Sequence, residues 1–337
     1  MSFLISFIAV IFVFGIVIFI HELGHFVTAK IFGVKVHEFS MGMGPCLFKK
    51  TKGETQYSLR LFPMGGYVKM EGEDGDSDDE RAFSKKKPWQ RMIILVSGAF
   101  MNFVLGFIVI MLLYSFTLQS VPTTTISEVL PGYGAHEAGI LKNDRIIRIN
   151  NEKIHNNMDI SLAIGNSENA LVLLKRNGET IEKNVSLIAE DGIRYLGIKL
   201  DVEDKNLFNL SSYSFNYGMT IIKLTYKSFF GIFKGSVSVN DMSGPVGIVT
   251  QIGSAAQQGI ENVLFILILI TLNLGVFNLF PIPALDGGRL VFVIIEMVTR
   301  KKIKPEHEAI VHFIGFVLLI GFMLYVTKND IVRMFGK

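Results

Sequence analysis

Cysteine is nearly absent from this chain. The single Cys46 excludes an intramolecular disulfide and any multi-cysteine metal site, and it reads as a passive thiol. Charge is missing where it would matter most, since no Asp, Glu, Lys or Arg occurs from Met1 to Ile20. No basic residue precedes that run and no small-residue cleavage site follows it, so a membrane span is expected rather than a cleaved signal peptide. No internal repeat is visible. A strong excess of either charge is also lacking: 33 Lys and Arg stand against 30 Asp and Glu, for a net charge of +3. That balance gives no reason to expect a nucleic-acid partner; the basic residues act instead as a membrane-orientation signal.

What is present is apolar. Half the residues are hydrophobic and the mean hydropathy is positive, which indicates an integral membrane protein with an embedded soluble part. Four stretches are long enough to span a bilayer: roughly 3–29, 92–118, 262–285 (continuing into a more polar half at 290–298) and 310–327. Lys49, Lys50, Lys52, Arg81, Lys85, Lys86, Lys87 and Arg91 crowd the first connection, and Arg300, Lys301, Lys302 and Lys304 the last. Basic connections stay in the cytoplasm, so both termini and the segment 122–210 are expected outside. The expected organisation is a first transmembrane helix at 1–31, a cytoplasmic-side region at 32–91 and a second helix at 92–118. An extracytoplasmic domain at 119–210, an amphipathic surface helix with a linker at 211–261, a broken third transmembrane segment at 262–300 and a fourth helix with tail at 301–337 complete it.

The first apolar run ends in His21-Glu22-Leu23-Gly24-His25. On a helix the two histidines share one face, where they can chelate one zinc, and Glu22 beside them can act as general base for water. Histidines that merely cap or snorkel at a helix end are the plainer alternative, but ionisable groups at membrane depth usually serve function. Far downstream, Asn278-Leu279-Phe280-Pro281-Ile282-Pro283-Ala284-Leu285-Asp286-Gly287-Gly288 interrupts the third apolar run. Pro281 and Pro283 break the helix, and broken backbone at this depth is tolerated where protein or a water-filled cavity satisfies it. Asp286 can be an ordinary N-cap there, or the third protein ligand that a catalytic zinc needs.

HELGH in a first span, followed by N-x-x-P-x-P-x-L-D-G, resembles the site-2 protease family of intramembrane zinc metalloproteases, in particular its bacterial RseP/RasP-type branch. Gly98 to Asn102 is similar to the family's G-x-x-x-N, Pro63 to Met70 to its membrane-reentrant β-loop, and Ser243 to Ile248 to its G-P segment. The resemblance implies that His21, His25 and Asp286 bind Zn2+ and that Glu22 activates water. It places Asn278 near the scissile carbonyl, holding substrate or stabilising the oxyanion, with Asn273 a second candidate for the same work. Gly98, Asn102, Pro281 and Pro283 would support the site, Asn102 by polarising the core or by a helix–helix hydrogen bond. It also implies a bacterial inner-membrane location and, as partners, the bilayer and transmembrane peptide substrates, such as anti-sigma factors pre-cleaved by a site-1 protease or remnant signal peptides.

The stretch 59–70 alternates bulky and small residues around Pro63 and Gly65-Gly66, and a β-hairpin is expected there. Gly65, Gly66, Tyr67 and Val68 would either pair with an unwound substrate or cover the site. The acidic run 71–80 lacks EF-hand spacing and is expected to be a solvated loop, and Lys85 to Trp89 an interfacial anchor. Residues 126–129, 145–150 and 170–176 are strand-like, and Asn177-Gly178 is a hairpin turn. Pro131 to Ile140, then Asp144 to Ile146, resembles the PDZ pattern of bacterial proteases, with room for one such domain that gates access more than it captures peptide. Residues 213–233 suggest an amphipathic helix on the membrane surface. His37, His136, His155, His307 and His312 are expected to be structural or exposed. The expected fold is therefore mainly α, polytopic, with four transmembrane helices, a membrane-associated β-hairpin and one PDZ-like α/β domain. A zinc transporter and an inactive chaperone are the competing functions; neither needs a general base at Glu22.

Overall fold

In a computed structural model, the described residues are 2–73, 75, 77–236, 238 and 242–335, without the side chains of Met64 and Pro305. In chain order the elements are α1 (Ser2–Ile31), β1 (Val36–Lys52), β2 (Thr55–Met70), α2 (Pro88–Thr117), β3 (Val121–Val129), α3 (Gly134–Glu137), β4 (Arg145–Ile149) and β5 (Glu152–Lys153). There follow α4 (Asn157–Ile164), β6 (Asn169–Arg176), β7 (Glu179–Ser186), β8 (Ile188–Glu190), β9 (Ile193–Tyr195) and β10 (Ile198–Glu203). The last elements are α5 (Leu207–Phe233), α6 (Pro245–Gln258), α7 (Ile260–Leu279), α8 (Asp286–Thr299) and α9 (Pro305–Phe335). The chain divides into two compact units, residues 1–109 with 224–337, and residues 110–223.

Four helices, α1, α2, α7 and α9, are long and apolar enough to cross a membrane, and the protein is a multi-pass membrane protein. They coincide with the four stretches read from hydropathy. Within the first unit α1 and α2 approach at backbone distance. A Cβ on Gly24 would stand 2.4 Å from the carbonyl oxygen of Ser97, so only glycine fits that crossing. A hydroxyl contact of 2.9 Å between Thr28 and Ser97 closes the same interface. Phe313, Ile314, Val317 and Leu318 of α9 are exposed, as lipid-facing residues of a spanning helix are. Helix α6, which falls inside the expected linker, packs against α1, α7 and α9. Its N-terminus is tied to α9: the N–H groups of Gly244 and Gly247 donate to the buried carboxylate of Asp330 at 3.2 and 2.8 Å.

The hairpin is longer than its sequence suggests, and it turns elsewhere. The turn lies at Gly53-Glu54, and β2 runs straight through Pro63 to Gly66. Gly42 and Gly44, at φ +82 and +83, sit in a run of register shifts that lets β1 pair on both sides. Glu38 faces Gln56 on one side and Lys69 on the other, while Ser40 faces Ser58 and Tyr67. The first half of β1 is therefore the inner strand, and Gly66–Met70 forms an outer strand with no second partner among the described residues.

The second unit is built on an antiparallel sheet of order β10-β3-β4-β6-β7, with β5 beside β4. Alternation in β6 sends Ala170, Val172 and Leu174 inward, where they meet Ile126, Ile146, Ile149 and Val185. Asn177 and Gly178 adopt φ +50 and +91, the pair of positive angles a two-residue hairpin turn needs. One ion pair is buried at the edge of this core. Asp144 accepts from Nε and NH2 of Arg176 at 2.7 Å each, and from the N–H of Leu141 at 2.8 Å. Burial would raise the Asp144 carboxyl, but these donors outweigh it and hold it below the usual aspartate range. A depressed acid stabilises above its unfolded pKa of about 4 and loses that contribution as pH falls through its folded value. Asp144→Asn should therefore lower the unfolding midpoint of this unit by on the order of 5 °C at neutral pH. Calorimetry of the intact chain in detergent should show the gap narrowing progressively as pH falls below about 4; a gap that stays constant from neutral pH down through the acid range would contradict the ionic origin.

Candidate metal centre

HELGH lies in the last third of α1, which places His21 and His25 on the face turned to α2. Asp286 arrives from the other end of the unit. Helix α7 stops at Leu279 because Pro281 and Pro283 remove two N–H groups, and α8 begins at Asp286. Leu285, not Asp286, is the N-cap of α8. The carboxylate is thus free to point elsewhere, and it points at the histidines. Nε2 of His21 and Nε2 of His25 stand 3.1 and 3.3 Å from Oδ2 of Asp286, and 3.2 Å from each other. Among the described residues this is the one trio of such side chains whose donor atoms converge.

The spacing fits a metal. Ligand atoms on a tetrahedral ion with bonds of about 2.0 Å are about 3.3 Å apart. The protonation pattern fits as well. Nδ1 of His25 lies 2.8 Å from the carbonyl of Ile94, which can only accept, so Nδ1 carries the proton and Nε2 a lone pair. Oδ2 of Asp286 is buried without a hydrogen bond. Three unshared pairs face one another with no polar hydrogen between them, an arrangement a cation resolves.

The supporting residues pack directly on this trio. A Cβ on Gly98 would meet Nε2 of His25 at 2.2 Å, so the second helix must carry glycine behind the ligands. Asn102, one turn further, is fully buried with its amide 3.3 Å from Nδ1 of His21. For Nε2 of His21 to offer a lone pair, Nδ1 must carry the proton and needs an acceptor. Asn102 supplies it by presenting oxygen rather than nitrogen, a rotation that also ends the isolation of its buried Oδ1. Asn278 is buried and reaches Nε2 of His21 at 3.4 Å. Asn273 does not join it. Five residues earlier on α7, it points about 140° away and bonds to Thr225 of α5. His37 pairs with Glu71 at 2.5 Å and is no part of the cluster.

A cavity of about 410 Å3 opens beside the trio, lined by His21, Glu22, His25 and Asp286, and by Gly66 to Met70 of the outer strand. Gly66 sits against the base, since a Cβ there would stand 2.9 Å from Cγ of Glu22. Gly65 does not line this cavity; at φ +84 it packs on Met43 instead. Glu73 and Arg289, which sequence reasoning passed over, also border the cavity and form an ion pair with each other. The spacing of Arg289 from Asp286, three residues along a helix, is the signal that could have found it.

Comparison with known proteins identifies the family. Peptidase family M50 matches residues 9–322. Three relatives bear the printed name "Putative zinc metalloprotease". One, from Clostridium perfringens, is 37% identical over 324 residues, covering 95% of this chain and 96% of its own. A second, from Fusobacterium nucleatum, is 37% identical over 344 residues, covering 98% and 100%. The third, from Clostridium acetobutylicum, is 38% identical over 326 residues, covering 95% of each. With a family match across nearly its whole length, this chain belongs to peptidase family M50, the site-2 protease family, and is a zinc metalloprotease.

Proposed function

We propose that the protein hydrolyses peptide bonds within transmembrane segments of single-span membrane proteins, with His21, His25 and Asp286 holding its zinc. The observation that carries this reading is the cavity between the trio and the outer strand of the hairpin. A peptide bond inside a helix is shielded by the helix's own hydrogen bonds. The N–H and C=O groups of Gly66 to Met70 offer replacement partners, so a substrate unwound beside them keeps its backbone satisfied. When bound, the metal polarises the scissile carbonyl and acidifies water. Glu22 takes the proton of the attacking water and returns it to the leaving amine. Asn278, whose amide lies 3.4 Å from Nε2 of His21, is assigned to donate to the developing oxyanion. Membrane-tethered regulators already trimmed by another protease, and remnant signal peptides, are the substrate classes in view.

The second unit we read as a PDZ-like gate outside the membrane, filtering bulky ectodomains. A groove of about 730 Å3, lined by Ile160 and Ile164 of α4 and by Leu196 to Ile198 at the start of edge strand β10, favours peptide capture as a second reading. Deleting residues 119–210 should admit substrates with larger ectodomains if the unit gates. Loss of cleavage for all substrates, large and small, would favour capture.

Metal content and turnover separate the assigned roles. In purified full-length protein, Glu22→Gln should abolish cleavage of a helical model substrate while elemental analysis still finds zinc. Asp286→Ala should lose zinc and activity together. Asn278→Ala should retain zinc and lose on the order of a hundredfold in kcat, the size of a lost oxyanion contact. Zinc loss in the Asn278 variant would make that residue a folding element.

Orientation is open to a separate test. With Cys46 first changed to Ser, a cysteine at position 78 should be labelled only from the cytoplasmic side and one at 177 only from outside. The reverse pattern would invert the proposed topology and move the cut to the other leaflet.

A further inference from the structure

The metal reading makes no use of the histidine on α9 that touches the Asp286 loop. Ala284, two residues before Asp286, adopts φ +75, in the left-handed region that favours glycine. Its N–H donates to Nδ1 of His312 at 2.9 Å. A backbone N–H can only donate, so Nδ1 of His312 carries a lone pair and its proton sits on Nε2. The ring is only 17% exposed and lies against Phe292 of α8, with centroids 5.8 Å apart. Three residues along the same face of α9 is Gly315. A Cβ there would stand 2.2 Å from Cβ of Pro283 and 2.9 Å from its carbonyl carbon. His312 and Gly315 thus grip two consecutive residues of the loop. Beyond them the loop is tied to itself, with the N–H of Leu285 on the carbonyl of Ile282 and that of Gly288 on the carbonyl of Leu285. Gly287 and Gly288 admit no side chain either, because Cβ atoms there would lie 2.0 Å from the carbonyl oxygen of Phe280 and 2.6 Å from that of Ile282. A tightly folded loop with one residue in a disfavoured conformation needs an outside hold on that residue, or it relaxes and carries the following residues with it.

We propose that His312 is a positioning residue for the metal centre: by accepting the Ala284 N–H it keeps Ala284 left-handed and so fixes where the Asp286 carboxylate stands relative to His21 and His25. The inference rests on the metal assignment made above. Its signature is a loss of zinc affinity that an acceptor at position 312, or a glycine at position 284, restores. Packing of α9 on α8 alone predicts no such recovery.

The test uses the full-length protein in detergent and zinc affinity by competition with a chelator. Wild type and Asp286→Ala come first; equal affinity in those two would sink the metal assignment itself, before His312 is touched. His312→Phe keeps a ring beside Phe292 but removes the acceptor, and should weaken zinc binding by about tenfold or more, the range for lost outer-shell partners. His312→Gln, with a side-chain carbonyl in reach, should stay much closer to wild type. Ala284→Gly alone should be near neutral, and combined with His312→Phe should recover most of the lost affinity. Unchanged affinity in His312→Phe overturns the proposal, as does an equal loss in the Gln variant that glycine at 284 does not repair. Gly315→Ala supplies an independent probe where the Phe variant does not fold. It leaves His312 in place but drives a methyl group into Pro283, so it should also weaken zinc binding, and full zinc affinity there would count against the loop's control of Asp286.

Discussion

Everything at the metal centre depends on how closely α1 and α2 approach. Gly24 of α1 touches the backbone of Ser97, and Gly98 of α2 lies under both imidazoles. In a membrane there is little hydrophobic gain from bringing two apolar helices together, so small residues that allow backbone contact are the main source of their association. The same contact has a chemical consequence. It brings the carbonyl of Ile94 and the amide of Asn102 within reach of the two Nδ1 atoms. A larger residue at position 24 or 98 would separate the helices and remove both the packing and the acceptors that fix the imidazoles. Helix association and ligand orientation are thus the same set of contacts.

What was legible in the sequence follows the strength of local signals. The four spans and the pairing of His21 with His25 rest on run length and helical period, which tertiary context rarely overrides. Asp286 was legible because Pro281 and Pro283 cannot continue a helix, so the apolar run had to break just before it. The hairpin was misplaced because Pro63 and Gly65-Gly66 look like a turn, whereas Gly53-Glu54 turns and the other glycines serve bulges. Helix α6 was hidden because its anchor is Asp330, more than eighty residues away. Asn273 was given a substrate role beside Asn278 through the family resemblance, and helical phase sends it to Thr225 instead. His312 had no neighbour in sequence to suggest a task, since its partner Ala284 is met only through the packing of α9 on the loop.

The outer strand poses a physical problem that bears on mechanism. Unpaired N–H and C=O groups in a low-dielectric setting are costly, and lone strand edges recruit partners. Here Gly66 to Met70 turns that edge toward a cavity that also holds Glu22 and Asp286. Arg289, Glu73 and Lys69 border the same space, so the edge can be wetted when no chain lies along it. On the proposed function, a substrate docking there would exchange water for backbone partners and approach the base in one movement. The closeness of Gly66 to Glu22 means that the strand and the base keep a fixed separation, which a flexible covering loop would not ensure.

The metal site also ties the fold to its cofactor. Its donor atoms come from α1 and from the start of α8, their supports from α2, and the loop that carries Asp286 is gripped by α9. The α1 and α2 contributions are separated from the Asp286 loop by more than 150 residues of sequence. Without a cation, two imidazole lone pairs and a carboxylate oxygen face each other at 3.1 to 3.3 Å, and their repulsion works against assembly of the bundle. With one bound, the same arrangement becomes attractive, and ligation to the assembled form alone stabilises it by about 4 kcal/mol at a free metal concentration a thousandfold above Kd. Because that stabilisation acts through Asp286, it is available only while the α7–α8 loop keeps its conformation. If His21, His25 and Asp286 hold the zinc as proposed, the residues that hold the loop, far from the reacting bond, share in setting both the stability of the membrane unit and its competence for chemistry.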